Sequence, residues 1–194
     1  TYIGLVEVGV GVIPAGGGCK ETMLRVTEGI PDGTIDAGMN LQHVYAKAFE
    51  NIATAKVATS AAEAMELGYI RKTEGISLNR DQQIWDAKQV VLGRAKYYKK
   101  PRPALIPVMG ENFRGMAEAI LYNMRQGNFI SDYDLHVARK VAHILSGGDC
   151  AEGTLVTEQE ILDLEREAFL SLCGEKKTQD RIMHTLSTGK PLRN

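Results

Sequence analysis

Several things are scarce in this chain, and each scarcity excludes something. Only three cysteines occur, Cys19, Cys150 and Cys173, far apart and without a Cys-x-x-Cys. An odd count at that spacing excludes a disulfide framework and a zinc knuckle, and it fits a reducing cytosol, so the expected location is cytoplasmic. Charge of neither sign is in excess: Lys plus Arg total 23 and Asp plus Glu 24. No global field therefore draws in nucleic acid or an anionic membrane. No apolar run approaches the roughly 18 residues of a membrane span, and no signal-peptide pattern is present. The histidines, His43, His136, His143 and His184, are scattered. Asp132 and His136 share i, i+4 spacing, which is more often an ordinary surface pair than a ligand pair, so no metal site is expected. No Gly-x-Ser-x-Gly elbow occurs, and no serine or cysteine has an evident base beside it.

Two nucleotide motifs are also missing. A phosphate-binding loop needs Gly-Lys-Ser/Thr at its end, but Gly18 is followed by Cys19, Lys20 and Glu21. The dinucleotide fingerprint Gly-x-Gly-x-x-Gly fails at its third glycine from either Gly9 or Gly16.

What is present begins with Gly4–Lys20, an apolar β-type run carrying one carboxylate, Glu7, that leads through Ile13-Pro14 into Gly16-Gly17-Gly18. A carboxylate among Val, Leu and Gly is costly to bury unless paired or used; the alternative is an edge strand with Glu7 facing water. The glycines make a permissive turn, with amides free at the start of the helix that follows.

The length of 194 residues and 44% hydrophobic content suffice for one domain with a real core. Past the turn, 20–27 reads as a short helix with Met23, Leu24 and Val26 inward. Ile30-Pro31-Asp32-Gly33-Thr34 is turn chemistry. From Asp36 to Thr54, Leu41, Val44, Tyr45, Ala48, Phe49 and Ile52 recur at helical spacing. Ser60 and Glu63 form a capping box, and Gly68 stops that helix. Tyr69–Leu78 reads as a strand or extended arm, then Asn79 caps a long helix to about Lys99 in which Trp85 is a packing residue at a helix or domain contact. Pro101, Pro103 and Pro107 make an extended connector. Further helices are expected over 109–125, 131–146 (Ser131 with Asp134), 157–172 (Thr157 with Glu160) and 177–188. The basic cluster Lys96–Arg102 is a solvated helix end, or a contact for phosphates or for another domain.

Glu7-x-x-x-Gly11-x-Ile13-Pro14-x-Gly16-Gly17-Gly18 resembles the second catalytic segment of the enoyl-CoA hydratase/isomerase (crotonase) family. Val6 replaces the proline that often precedes the glutamate, and Ala15 a glycine that often follows Ile-Pro. Thr59-Ser60-Ala-Ala-Glu63-Ala-Met-Glu-Leu-Gly68-Tyr-Ile is similar to another segment of that family. Ser131–Gly148 and the ending Thr188–Asn194 look like the C-terminal part of bacterial 3-hydroxyacyl-CoA dehydrogenase polypeptides with a fused enoyl-CoA hydratase region. The resemblance then spans nearly the whole chain.

That resemblance implies an α/β class, the C-terminal part of a crotonase-like (ββα spiral) domain, mostly helical here with few short strands. Residues 1–78 would belong to the crotonase core and 79–194 to a helical C-terminal region, either the same domain or a docking extension. It implies hydration of 2-enoyl-CoA thioesters in fatty-acid β-oxidation, with Glu7 as the water-side acid/base, and Ala15 and Gly16 positioning the water. Lys190 is a weaker candidate for a coenzyme A phosphate. The other glutamate and the oxyanion donors would lie upstream of Thr1, since the chain begins directly in apolar sequence, so this chain alone is expected to lack appreciable activity. No cofactor is expected here: coenzyme A arrives with the substrate, and NAD serves only the upstream dehydrogenase domains, which are the expected partners. Assembly would follow the family's trimers, a homo-oligomer, or its domain-fused forms. The alternatives are an enoyl-CoA isomerase of the same fold and a helical docking module for dehydrogenase domains.

Overall fold

The computed structural model describes residues 1–31 and 40–194. The expected Asp32-Gly33-Thr34 turn and the first residues of the helix from Asp36 lie outside the described residues. Helices dominate, with four short strands among the described residues. Strand β1 (Ile3–Gly4) pairs antiparallel with β2 (Val57–Ala58), in the register Ile3 opposite Ala58. Strand β3 (Leu105–Pro107) pairs antiparallel with β4 (Leu155–Thr157), Ile106 opposite Val156.

The helices are α1 (Gly18–Thr27), α2 (Gln42–Ala53), α3 (Ala61–Glu66), α4 (Gln83–Ala95), α5 (Gly110–Gln126), α6 (Asp132–Leu145), α7 (Glu158–Cys173) and α8 (Lys176–Thr188). Helix α6 is central: α1, α2, α5 and α7 all pack on it. Its Val137, Val141, Ile144 and Leu145 are buried at the i, i+4, i+7, i+8 positions of one face. Opposite them, Tyr45 and Phe49 of α2 meet the Phe113 ring of α5 edge-on, at centroid distances of 5.7 and 6.0 Å. The Tyr45 hydroxyl donates to the carbonyl of Pro107, tying the β3–β4 pair to α2.

Local signals set the helix starts. Ser131 and Asp134 form a reciprocal capping box on α6, and Thr157 and Glu160 do the same on α7. At α3 the exchange is one residue longer: Ser60 caps the Glu63 amide, while the Glu63 carboxylate takes the Thr59 N–H instead.

Three expectations are corrected. Glu7 is not in a strand: β1 ends at Gly4, and Glu7–Val10 is a turn of 3₁₀ helix. Gly9 N–H bonds to Val6 O, and Gly11 closes the turn with φ +84°, a left-handed conformation that favours glycine. Tyr69–Leu78 forms turns, among them one closed by Glu74 N–H on Arg71 O, rather than a strand or arm. The long helix after Asn79 is shorter: Asn79 caps a 3₁₀ turn, Arg80–Gln82, and α4 ends at Ala95. No residue of α4 is buried, and Trp85 is 61% exposed, so among the described residues it is a surface side chain and not a packing residue.

Candidate functional site

The glycine turn and α1 are held from the far end of the chain. Helix α7 presents Glu165, fully buried, to the start of α1: one carboxylate oxygen accepts the Gly17 N–H at 2.8 Å and the other the Lys20 N–H at 2.7 Å. These are the orphan amides that every helix start leaves over, and a carboxylate there also meets the positive end of the helix dipole. The expectation of free amides at this helix start is therefore corrected. Glu165 carried no sequence signal, because it sits among six other acids between Glu152 and Glu175 and only the fold selects it.

Burial pushes the Glu165 carboxyl up, with the N–H groups of Lys20, Gly17 and Cys19 pulling against that rise. Close packing completes the turn: a Cβ on Gly18 would lie 2.6 Å from Cβ of Pro14. Lys20 pairs with Glu21 and, at 3.1 Å, with Glu158; burial works to lower its pKa, but those two carboxylates prevail and raise it.

Beside this turn, a cleft of about 520 Å³ opens between the Glu7 segment and α7. Glu7, Ile13, Ala15 and Gly16 form one wall; Leu162, Phe169 and Leu170 form an apolar wall opposite, with Gln159, Asp163 and Arg166 also lining it. Among the described residues, Glu7 Oε2 is buried without a hydrogen-bond partner. Asp163, the other acid of the cleft, is engaged by Gln159 at 3.0 Å and Arg166 at 2.9 Å. The cleft thus offers one uncommitted carboxylate against a hydrocarbon surface, an arrangement able to take or give a proton next to an apolar ligand.

The structure brings three of the sequence-derived residues together: Glu7, Ala15 and Gly16 share this cleft. It leaves Lys190 out. That residue follows α8, where its N–H bonds to Thr188 Oγ1 at 3.1 Å, and it does not line the cleft. The cluster Lys96–Arg102 is exposed beyond α4. A second opening, of about 560 Å³, includes Arg25, Arg71 and Lys72, but Arg71 is paired with Glu28 and Glu74, and Arg25 Nε is bound to Gly68 O. Among the described residues no group of three or more His, Cys, Asp or Glu is placed to hold a metal ion, and no helix is long and apolar enough to cross a membrane.

Three comparisons bear on this geometry. No family model matches the chain, and no solved structure matches it. One curated protein, from Bacillus subtilis (strain 168) and named "Probable 3-hydroxyacyl-CoA dehydrogenase", is 41% identical over 199 residues, covering 100% of this chain and 24% of that protein. The chain is thus related to a 3-hydroxyacyl-CoA dehydrogenase polypeptide and spans about a quarter of the length of the curated relative it matches.

Proposed function

We propose that this chain supplies one catalytic wall of an enoyl-CoA hydratase unit within a longer 3-hydroxyacyl-CoA dehydrogenase polypeptide acting in fatty-acid β-oxidation. The observation that carries this reading is Glu7: an uncommitted carboxylate oxygen in a cleft with an apolar far wall, on the segment whose residues resemble the crotonase family. The relative's name supports the polypeptide class, since a hydratase makes the 3-hydroxyacyl thioester that such a dehydrogenase consumes.

In this mechanism a water molecule held by Glu7 attacks Cβ of the enoyl thioester. Glu7 accepts one of its protons as the O–Cβ bond forms, and the alkene electrons move to the thioester oxygen. That enolate collapses as Cα takes a proton from a second acid, giving the 3-hydroxyacyl thioester. The second acid and the oxyanion donors would come from parts of the polypeptide outside this chain. Glu165 does not serve as that acid, because both its oxygens are engaged by backbone N–H groups. The backbone N–H of Ala15 makes no hydrogen bond within the described residues and lies on the Glu7 wall, suited to anchor the water.

NAD does not fit this chain's glycine turn. The helix start that would meet a pyrophosphate is already filled by the Glu165 carboxylate, so NAD is assigned to the dehydrogenase portion and no step here passes through it.

The test is Glu7→Gln in the longer polypeptide, with crotonyl-CoA hydration followed by loss of the conjugated thioester absorbance. A positioned acid/base contributes about 10²–10⁴-fold, so the rate should fall by that factor while the dehydrogenase activity stands. An unchanged rate overturns the assignment. Product analysis with a 3-enoyl-CoA distinguishes the isomerase of the same fold, in which the carboxylate shuttles a proton without water.

A second role is favoured by a separate observation. Helix α4 carries Ile84, Ala87, Val91 and Leu92 on one face, with Trp85 at its border, and buries none of them. A helix of 13 residues is marginal by itself in water, so α4 is read as docking onto the dehydrogenase portion. The basic run from Lys96 to Arg102 would continue that contact. Catalytic and docking roles coexist in this reading, the first in the cleft between the Glu7 segment and α7 and the second on α4.

A further inference from the structure

The turn that carries Glu7 is fixed by a buried chain of hydroxyls none of whose members reaches the cleft. Gly11 ends the turn, and its carbonyl accepts the Thr178 hydroxyl at 2.5 Å. Thr178 is fully buried in the first turn of α8, and its Oγ1 lies 2.7 Å from the hydroxyl of Tyr133 on α6. A hydroxyl has one proton. Because the Thr178 proton is used on Gly11 O, the Tyr133 O–H must be the donor to Thr178. The direction is therefore set: Tyr133 to Thr178 to the Gly11 carbonyl, three groups in series in a low-dielectric interior where each bond strengthens the next.

The surroundings leave the turn little freedom. A Cβ on Gly11 would meet Thr178 Oγ1 at 2.9 Å and Arg181 Cδ at 3.1 Å. Arg181, 1% exposed, lies over the Tyr133 ring at 5.1 Å and is itself held by Asp134 at 2.7 Å and by Asn194 Oδ1 at 2.8 Å. The lining of the cleft includes residues of the Glu7 segment and of α7, and none of α6 or α8. Whatever Thr178 and Tyr133 do for chemistry, they do through the turn.

We propose that Thr178 and Tyr133 are positioning residues that fix the 3₁₀ turn Glu7–Val10, and with it the angle at which the Glu7 carboxylate meets the substrate. This rests on the hydratase reading of Glu7. A carboxylate on a four-residue turn has few internal bonds to hold it, and displacement of a reacting group by about 1 Å can cost on the order of 10²-fold in rate.

The experiment uses the longer polypeptide and three variants: Thr178→Val, nearly isosteric but without the hydroxyl; Thr178→Ser, which keeps it; and Tyr133→Phe, which removes only the outer bond. Kinetics with crotonyl-CoA are paired with hydrogen exchange of the peptide spanning 5–13. Thr178→Val should lower kcat by about tenfold or more, leave KM within about twofold, and speed exchange in 5–13 while α6 stays protected. Thr178→Ser should restore most of kcat, and Tyr133→Phe should fall between. Should Thr178→Val fail to fold, Tyr133→Phe carries the same comparison. Equal loss in the Ser and Val variants, or an unchanged kcat in folded Thr178→Val, overturns the proposal while Glu7→Gln still abolishes hydration. If Glu7→Gln itself leaves hydration intact, the hydratase reading falls and the positioning role falls with it.

Discussion

Cys19 is wedged between two carboxylates. Burial raises its thiol pKa first, and the charges of Glu165 and Glu7 raise it further, so it is an inert core residue rather than a nucleophile. The two acids differ in what they touch. Glu165 spends its charge on the amides of Gly17 and Lys20, whereas Glu7 keeps an oxygen unpartnered. Glu165→Ala should destabilise the chain by roughly 2–4 kcal/mol, since it leaves one buried and one partly buried N–H group without an acceptor; urea denaturation measures this. The pH dependence has a definite sign. The folded-state carboxyl lies above its ordinary 4.5, so the unfolded chain loses its proton first as pH rises. The stability held below that value is lost as pH climbs through the folded-state pKa. The wild type should therefore lose stability relative to Glu165→Gln between acid and neutral pH, read from denaturation midpoints across that range.

At the scale of elements, α4 and α6 are opposites. Both show apolar residues at helical spacing, yet α6 buries seven residues and α4 none. The pattern in the amino acids is the same in kind, because periodicity records that a face exists and not what covers it. A docked α4 has a spectroscopic consequence: Trp85 is the chain's one tryptophan. In the 194-residue chain its fluorescence should be red-shifted and open to acrylamide quenching; in the longer polypeptide it should shift blue and resist quenching. Equal quenching in both would remove the docking role. Helices with capping boxes were located within a residue or two from sequence, because Ser131 with Asp134 and Thr157 with Glu160 act through local backbone geometry. The Val-rich run around Glu7 has strand composition, but glycines at 9 and 11 curl it into a turn.

Across the whole molecule, the Arg181–Asp134 pair joins α8, α6 and the C-terminal residue. Arg181 is buried and reaches Asp134, Ser131 and Asn194. Burial works to raise the Asp134 carboxyl, but the Ser131 N–H and the Arg181 guanidinium outweigh it and hold the pKa below 3.8. The stabilisation this gives is present above that value and is lost as pH falls through the lowered folded-state pKa. Asp134→Ala should cost about 3–5 kcal/mol at neutral pH, because it strands a buried cation. In a circular dichroism acid titration, the gap between wild type and variant should narrow below pH 3.8.

By itself the sequence determined the mostly helical make-up, the helix starts set by capping side chains and the glycine turn, all consequences of bonds between near neighbours, while the grouping of Glu7 with Ala15 and Gly16 came from the family resemblance of their segment. Tertiary structure alone decided that Glu165 fills the α1 start, that Arg181 lies buried, and that Thr178 reaches Gly11. The contacts of Glu165 and Thr178 join residues more than 100 positions apart and Arg181 reaches partners 13 to 50 positions away, and no local pattern marks which of many acids, arginines or threonines packing will select.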